Sequence, residues 1–540
     1  MKKKICFLLL ILTCINLNAQ LEVNIRGVIT SDRGEPLEGV SVYLENTSLG
    51  AITNESGNYL IKSVNPGSYN LTAQLLGYTS ITKFNVIIKS KGNPSFDFVL
   101  VESSIELDAV VISDENKIKR SVETPLSTQS LSAVEIATYP GGNNDVVQVA
   151  QSLPGVSPSI GGFRNDLIIR GGAPNETVYY LDGMEVPNIN HFATQGSAGG
   201  PVGLLNISFI NDVTLSTSAF GSQYDNPLSG VLQFSQREGN RYEHNTNIRV
   251  SATDAAVTLE GPLFKGDLEE SNTSMILSVR RSYLQMLFKL IGLPIRPDYW
   301  DYQYKVSHKI DDYNSLYLIG LGSIDDFSIE QPDEYDEIAQ AVLEQAPYIE
   351  QRTNSVGVTW KRRFKDGSGF MQNTLSNNRL KNIYTTYLTP ETETGIIFKN
   401  DAVESETKLR HKTTKFFGNW KIAGGFNFQY SSYVNNTENN VDDIFYSSSI
   451  DFQKYGLFVN ASSSYFNDKL SVSFGLRIDD DTFTTESNLL NTFSPRASLS
   501  YQIAPNWFAS TSIGRYYKIP PYTNLGFRNN NDELVNKNVS

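Results

Sequence analysis

The chain has 540 residues, and its 58 acidic side chains outnumber its 45 basic ones, which gives a formal net charge of -13 at pH 7. Binding to a nucleic-acid backbone depends on an excess of Lys and Arg, so this acidic balance argues against a nucleic-acid partner. The two cysteines both lie within the first twenty residues, which excludes a disulfide framework in the rest of the chain.

The first twenty residues, MKKKICFLLLILTCINLNAQ, have the pattern of a secretory signal peptide. Three lysines precede the apolar run Ile5–Ile15, and small and polar residues follow up to Ala19. The run is too short to cross a bilayer as a helix. We expect residues 1–19 to be cleaved off with Cys6, Cys14 and the three lysines, which changes the formal charge to -13 - 3 = -16. The mature protein would then be held together by packing and hydrogen bonds, without disulfides.

Residues 21–102 are predicted to form a small β domain. Turn signals recur at short intervals in SDRGEPLEG, TNESGNY, VNPGSY and LLGYTS, and strands such as VSVYL and YLIKSV separate them. This spacing predicts a β-sandwich of about seven short strands. The region resembles the carboxypeptidase regulatory-like domain, which implies an accessory and non-catalytic sandwich. None of the four histidines has the spacing of a metal ligand; they are His191, His244, His308 and His411. We therefore predict no catalytic residues, no cofactor and no metal site.

Residues 131–227 are rich in Gly and Asn and are predicted to form a compact α+β domain. DVVQVAQSLPGV indicates a short helix that ends at Pro154-Gly155, and RNDLIIRGG indicates a strand that ends in glycines. TVYYLDGMEV predicts a hairpin with Asp182-Gly183 at its turn. Glycines tolerate positive φ and close backbone approach, which suits a small and tightly packed sheet.

From residue 228 to residue 540, apolar and polar residues alternate with period two. In KLSVSFGLRI the residues Leu470, Val472, Phe474, Leu476 and Ile478 are apolar, and NWKIAGGFNFQY and RASLSYQI repeat the pattern. A soluble β-sandwich and a membrane β-barrel both alternate in this way. Strands of roughly 9 to 11 residues and aromatic residues at strand ends, as in GRYYKIPPY and RPDYWDYQYK, favour the barrel.

The stretch PGVSPSIGGFRNDLIIRGGAPNETVYYLDGMEVPN resembles the plug domain of TonB-dependent outer-membrane receptors. Together with the N-terminal sandwich, it resembles the branch common in Bacteroidetes-type bacteria. The resemblance implies that the α+β domain obstructs the barrel, with a core and a plug–barrel lock at Arg170, Gly171, Gly172, Asp182 and Gly183. Alternatively, Arg170 only caps a strand against solvent. Family plugs often carry an Arg-Gly-Pro turn further on, whereas this chain reads VTLSTSAFGSQYDNPLSGVLQF.

The resemblance also gives a role to ELDAVVIS, within the linker 103–130. This segment resembles the TonB box, which here comprises Leu107, Asp108, Ala109, Val110, Val111 and Ile112. An extended, β-branched segment can add as a strand to the sheet edge of another protein. The alternative is a last strand of the preceding sandwich.

By the same resemblance, outward-facing plug loops meet the ligand first. The matching positions are Ser159–Asn165 and Asn188–Phe192, and the candidate ligand contacts within them are Arg164, Asn165, Asn188, His191 and Phe192. The acidic segment Asp325–Gln345 is interpreted as a solvated surface loop, with cation binding as the alternative.

The expected fold is dominated by β structure: an N-terminal β-sandwich, an α+β plug and a transmembrane antiparallel β-barrel. Plugged transporters have about 22 strands, whereas the pattern from Leu228 to Ser540 gives about fourteen candidates. We therefore expect an incomplete barrel that does not close in this chain and that aggregates when expressed alone.

The predicted function is energised import of a large nutrient across the outer membrane of a Gram-negative bacterium, without enzymatic activity. The expected partners are TonB with its inner-membrane proton-channel complex, outer-membrane lipid and a nutrient ligand of unknown identity, and a surface lipoprotein is left open. The alternative functions are a surface adhesin or binding protein without transport, a secreted peptidase, and a transducing receptor. The peptidase is disfavoured because zinc-ligand spacing is absent.

Overall fold

The computed structural model describes residues 23–44, 47–65, 67–78, 80–88, 94–102, 128–132, 135–136, 139, 145–158, 165–193, 195–196, 199–251, 253–264, 271–330, 347–466, 469–485, 489–504, 507–529 and 533–537. The chain divides into two compact units, Met1–Glu115 and Asn116–Ser540. Within the described ranges, no helix combines the length and the apolarity needed to cross a bilayer.

The first unit is a β-sandwich, as predicted. Its described strands are β1 (Val23–Ser31), β2 (Ser41–Leu44), β3 (Gly50–Ile52), β4 (Asn58–Val64), β5 (Gly67–Gln74), β6 (Ile81–Ile88) and β7 (Phe98–Leu100). They form two sheets with the orders β4-β1-β7 and β3-β2-β5-β6. Alternate residues of the strands point inward, so that Ile25, Ile29, Val42, Ile61 and Leu71 are almost completely buried in one core.

The second unit begins with the plug, whose main part is a five-stranded sheet in the order β12-β11-β16-β15-β8. We call this sheet the plug sheet. Its strands, the small strands beside it and one short helix are β8 (Thr128–Ser132), α1 (Val146–Ala150), β9 (Val156–Ser157), β10 (Ile168–Ile169), β11 (Thr177–Leu181), β12 (Met184–Val186), β13 (Asn190–His191), β14 (Val202–Gly203), β15 (Ile210–Ser216) and β16 (Gly230–Gln236).

Helix α1 confirms the short helix that DVVQVAQSLPGV predicted. Asp145 is its N-cap and accepts hydrogen bonds from the backbone N–H groups of Val147 and Gln148. Pro154 and Gly155, which has φ of 86°, follow the end of the helix. Val147 and Ala150 pack into the apolar core of the plug.

Strand β16 corrects the predicted boundary between plug and barrel. The alternation that begins at Leu228 predicts a barrel strand, whereas β16 pairs in parallel with β11 and antiparallel with β15. Its residues Val231, Leu232 and Phe234 are buried in the plug. Because β16 is paired with a plug strand along each of its two edges, it belongs to the plug sheet.

In the rest of the described chain, thirteen strands form one antiparallel sheet in sequence order, which we call the barrel sheet. The strands and the two short helices are β17 (Asn245–Val250), β18 (Asp254–Pro262), β19 (Thr273–Ser282), α2 (Leu284–Leu290), β20 (Ile295–Lys309), β21 (Asn314–Ile329), β22 (Tyr348–Arg363), β23 (Gly369–Thr389), β24 (Thr394–Phe417), β25 (Trp420–Asn439), β26 (Ile444–Tyr465), β27 (Leu470–Asp481), β28 (Ser494–Ala504), β29 (Trp507–Gly514) and α3 (Tyr522–Leu525). Among the described residues, β17 and β29 lie at the two ends of the sheet and do not pair, so the barrel is not closed.

The barrel sheet exposes its apolar face and buries its polar face. Leu457 on β26 is 57% exposed and Phe474 on β27 is 54% exposed, whereas Lys454 and Arg477 on the same two strands are buried. A soluble sandwich would bury the apolar face instead. An apolar outer surface around a polar interior is the arrangement of a transmembrane barrel, which agrees with the predicted fold.

Candidate functional site at the plug–barrel interface

The Asp182-Gly183 turn brings a carboxylate against the barrel sheet. Asp182 and Gly183 have φ of 50° and 89°, and the type I′ turn of a two-residue hairpin requires positive φ at both positions. The Asp182 Oδ2 atom lies 2.8 Å from Lys305 Nζ on β20. Its Oδ1 atom accepts a 2.9 Å hydrogen bond from the backbone N–H of Gln236. The hairpin is therefore tied both to the barrel sheet and to its own sheet.

Glu185 on β12 is a buried carboxylate between two cations of β24. Lys408 Nζ lies 2.8 Å from Glu185 Oε1, and Arg410 Nη1 lies 3.0 Å from Glu185 Oε2. Glu185 and Lys408 are 7% and 5% exposed. Removing one member of such a buried ion pair leaves its partner uncompensated, which costs about 3–5 kcal/mol.

A third plug carboxylate, Asp225, lies in the segment 220–226 and also faces barrel cations. Its Oδ1 atom is 3.1 Å from Arg410 Nη1, and its Oδ2 atom is 3.2 Å from Lys454 Nζ. Burial opposes the ionised form, but the charges of Lys454 and Arg410 outweigh burial and hold the pKa of Asp225 well below its usual range. Asp225 is therefore ionised at neutral pH.

Two arginines of the barrel sheet bind backbone carbonyls of the same plug segment. Arg477 Nη1 donates to the carbonyl of Ser222 at 3.2 Å. Arg496 Nη1 donates to the carbonyls of Gly221 at 2.6 Å and Tyr224 at 3.2 Å. This chain lacks an Arg-Gly-Pro turn in the plug. Instead, at Asp182, Glu185 and the segment 220–226, the plug supplies carboxylates and carbonyls, and the barrel sheet supplies the cations.

On β13, the imidazole of His191 lies between two carboxylates of the barrel sheet. His191 Nδ1 is 2.7 Å from Asp325 Oδ1, and His191 Nε2 is 3.1 Å from Asp301 Oδ2. Arg280 Nε donates to the same Asp301 oxygen at 2.6 Å. The Tyr299 ring stacks on the imidazole with a centroid distance of 3.9 Å. His191 is 0% exposed, so water does not screen these charges.

The surroundings of His191 favour its protonated form. Burial disfavours an imidazolium, but the negative charge of Asp325 and the hydrogen bonds to Asp301 and Asp325 outweigh burial, so the pKa of His191 is raised above its ordinary 6.5.

Within the described part of the chain, no group of three His, Cys, Asp or Glu side chains is arranged to hold a metal ion.

A cavity of about 180 Å³ lies beside these ion pairs. The plug hairpin, the strands β23 to β26 and the segment 518–522 surround it. Its charged lining residues are Glu185, Glu404, Glu406, Lys408, Lys454 and Lys518. The aromatic side chains at its wall include Phe452 and Tyr522. The cavity is thus the place where plug, barrel sheet and C-terminal segment meet.

The predicted ligand contacts lie inside the protein in this arrangement. Asn165, Asn188, His191 and Phe192 are 7%, 3%, 0% and 4% exposed. Asn165 Nδ2 donates to Asp145 Oδ2 at 2.5 Å. Asn188 also lines the cavity. Arg164 lies outside the described residues, so contact between these five positions and a ligand stays a prediction.

Arg170 and Gly171 form a second turn with consecutive positive φ values of 50° and 81°. The backbone N–H of Gly172 closes the turn by donating to the carbonyl of Ile169 at 3.0 Å. Position 172 needs glycine because a Cβ there would overlap the hydroxyl of Ser229. The Arg170 side chain is exposed, and its role in the plug–barrel lock stays a prediction. The TonB-box segment, Leu107–Ile112, lies outside the described residues.

The sequence alone did not predict the roles of Glu185, Asp225 and the barrel cations. The sequence does contain a sign of these cations, because Lys408, Lys454 and Arg477 occupy polar positions in strands whose apolar and polar residues alternate. A charge on the inward face of a barrel strand needs a partner in the lumen. Which plug carboxylate pairs with each of these cations could be found only from the three-dimensional structure.

Family models match the sandwich, the plug and most of the barrel sheet. The CarboxypepD_reg-like domain matches residues 25–112. The TonB-dependent Receptor Plug Domain matches residues 120–231, and the TonB dependent receptor-like beta-barrel matches residues 294–538. The chain belongs to the TonB-dependent receptor family, which is a family of receptors and transporters rather than of enzymes.

One receptor and two solved structures are similar to parts of this chain. TonB-dependent receptor P39 of Formosa agariphila is 28% identical over 247 residues, which is 44% of this chain and 22% of that protein. A mutant of the ferric enterobactin receptor PfeA of Pseudomonas aeruginosa superposes with a TM-score of 0.55 at 15% identity, over 74% of this chain and 63% of that one. The copper transporter OprC gives 0.54 at 13% identity, over 75% and 66%. The chain therefore spans less than two thirds of each relative, and the structural neighbours share its fold.

Proposed function

We propose that the protein is a TonB-dependent transporter that imports a large nutrient across the outer membrane of a Gram-negative bacterium. The observation that carries the proposal is the plug held against the polar face of the barrel sheet by ion pairs of Asp182, Glu185 and Asp225. A barrel closed by a plug passes cargo only when the plug rearranges, and ion pairs allow attachment that is firm and reversible. The exposed apolar residues of the barrel sheet would contact outer-membrane lipid.

The proposed cycle begins with ligand on the outer side of the plug. The barrel sheet has short turns at one end, such as 418–419 and 466–469, and the longer connections 330–347 and 482–493 at the other. Short turns face the periplasm in bacterial outer-membrane barrels. TonB would pair with Leu107–Ile112 on the periplasmic side and pull, using the inner-membrane proton gradient. The plug then rearranges to open a path, and no bond of the nutrient is broken.

The cargo is proposed only as a class. Iron chelates, cobalamin, oligosaccharides and peptides are the candidates. The structural neighbours include siderophore receptors and a copper transporter. Their identity of 13–15% to this chain supports the fold rather than a cargo.

The test is nutrient uptake in the native host, in which the wild type is compared with Val110→Pro. Proline removes a backbone donor from any strand added at that position, so TonB coupling should fail. We expect loss of uptake of one nutrient class at normal outer-membrane levels. The panel contains iron chelates, cobalamin, oligosaccharides and peptides.

The matched control is Val122→Pro, which introduces the same change in the same linker but outside Leu107–Ile112. It should leave uptake normal. Normal uptake of every class by Val110→Pro, with binding to whole cells intact, would instead favour a surface adhesin or binding protein without transport.

A further inference from the structure

The cavity beside the plug contains one carboxylate whose hydrogen bonding is incomplete. Glu404 on β24 lines the cavity, and its Oε1 atom is buried without a hydrogen-bond partner among the residues that the structure describes. A buried acceptor that lacks a donor costs about 1–3 kcal/mol. The neighbouring Glu406 differs, because it accepts from Tyr522 and faces Lys408 Nζ at 2.8 Å. Glu404 is thus suited to accept a hydrogen bond from a ligand.

The lysines of the cavity are already engaged by the protein. Lys408 Nζ lies 2.8 Å from both Glu185 and Glu406. Lys454 pairs with Asp225 at 3.2 Å. Lys518 donates to the carbonyl of Asn175. These cations therefore offer little to an anionic ligand, and they do not neutralise Glu404 by direct contact.

Aromatic rings complete the wall around this carboxylate. The rings of Tyr433 and Tyr522 stack with a centroid distance of 5.8 Å, and Phe452 lies 6.1 Å from Tyr522. Phe452 and Tyr522 line the cavity. The face of an aromatic ring attracts an ammonium group, and the attraction grows when water is excluded.

We infer that this cavity binds the primary ammonium group of a ligand, with Glu404 as the acceptor and Phe452 and Tyr522 as the aromatic wall. The inference rests on the proposed transport function, because it narrows the nutrient to an amine-bearing molecule. Pockets for whole drug-sized ligands measure about 300–1,000 Å³. A cavity of about 180 Å³ therefore holds an end group. An amino sugar and the amino terminus of a short peptide both present this group.

The test is calorimetric titration of the detergent-purified protein with four probes: glucosamine, N-acetylglucosamine, a dialanine peptide and its N-acetylated form. Acetylation removes the positive charge and keeps most of the scaffold. We expect at least one free amine to bind about tenfold more tightly than its acetylated form, since hydrogen bonds to charged groups are the stronger ones. The scaffold, sugar or peptide, whose free and acetylated forms differ more in affinity identifies the source of the amine.

Two variants assign the effect to the cavity. Glu404→Gln should remove the preference for the free amine, whereas Glu350→Gln, a change on the exposed end of β22, should retain it. Glu404→Asp keeps the charge and should retain the preference with weaker binding, which covers the case in which the Gln variant fails to fold. Equal affinity for free and acetylated probes, no binding of any probe, or an unchanged preference in Glu404→Gln would overturn the inference. Binding in detergent needs no TonB, so these results do not depend on the uptake test.

Discussion

At the scale of single residues, the carboxylate of Asp225 should strongly influence how firmly the plug is held to the barrel sheet. It is buried, and it pairs with Arg410 and Lys454. We expect Asp225→Asn to lower the free energy of unfolding by about 3–5 kcal/mol, because Lys454 loses its buried countercharge and Arg410 keeps only Glu185. Urea titration of the detergent-solubilised protein measures this loss.

The control for this prediction is Asp443→Asn in an exposed turn. Asp443 has φ of 53°, which asparagine tolerates well, so the change should stay within about 0.5 kcal/mol. If both variants lose equally little stability, other contacts hold the plug and Asp225 has no special role.

The raised pKa of His191 predicts that the attachment of the plug to the barrel sheet depends on pH. Its pKa in the folded protein is raised above 6.5, so its stabilising contribution is complete below the ordinary pKa and is lost as the pH rises through the folded value. The facing charges are Asp301, Asp325 and Arg280. Arg280 Nη2 lies 3.2 Å from His191 Nε2 and opposes the proton, and Asp301 pairs with that arginine. We expect the unfolding midpoint temperature to fall as the pH is raised from 6 towards alkaline values.

The assignment to His191 is checked by substitution. His191→Gln should flatten this pH dependence, whereas His244→Gln, at an exposed position, should leave it unchanged. A His191→Gln variant with the same pH profile as the wild type would refute the role of this imidazole.

Residue-scale prediction from the sequence succeeded where the cause is local. Asp-Gly between apolar runs predicts a two-residue turn, because both residues tolerate positive φ, and Asp182-Gly183 forms one. Glu185 and Lys408 are 223 positions apart. No local pattern specifies which inward cation meets which plug carboxylate, so these pairs emerged only from the fold.

At the scale of elements, period-two alternation predicted strands correctly but did not assign each strand to its sheet. The run from Leu228 alternates like the barrel strands, yet β16 lies in the plug sheet between β11 and β15. The alternation identifies one face of a strand. It carries no information about the neighbouring strand, which depends on distant residues such as Thr177–Leu181.

The exposed face of β26 should contact lipid. Leu457 lies beside Phe426 and Ile478 on the neighbouring strands. Leu457→Arg should cost about 2–4 kcal/mol if it lies near the middle of the bilayer. We expect a marked fall in the amount of folded protein in the outer membrane of the host.

Ser447→Arg is the matched change on the same face of β26, near the end of the strand. An arginine there reaches water, so the cost should be only about 0–1 kcal/mol. Equal outer-membrane levels for the two variants would argue against a lipid-facing surface at Leu457.

At the scale of the whole molecule, turns and alternation predicted the sandwich and the barrel, and the resemblance of the sequence between them to a known plug domain predicted the plug. The contacts that attach the plug to the barrel sheet could not be predicted from the sequence. The attachment depends on ion pairs and carbonyl contacts that join residues far apart in the chain, among them Arg477 and Ser222. The same attachment must be released if cargo is to pass, so movement of the plug is the central claim of the transport proposal.

A disulfide between plug and barrel sheet tests that claim most directly. A Cβ at Gly475 on β27 would lie 3.0 Å from Ser222 Cβ. A disulfide needs about 3.5–4.5 Å between its Cβ atoms, so a small shift permits the bond in Ser222→Cys/Gly475→Cys. We expect the double variant to lose nutrient uptake when oxidised and to regain it with reductant, while each single variant transports normally. Normal uptake with the disulfide fully formed would contradict transport through movement of this part of the plug.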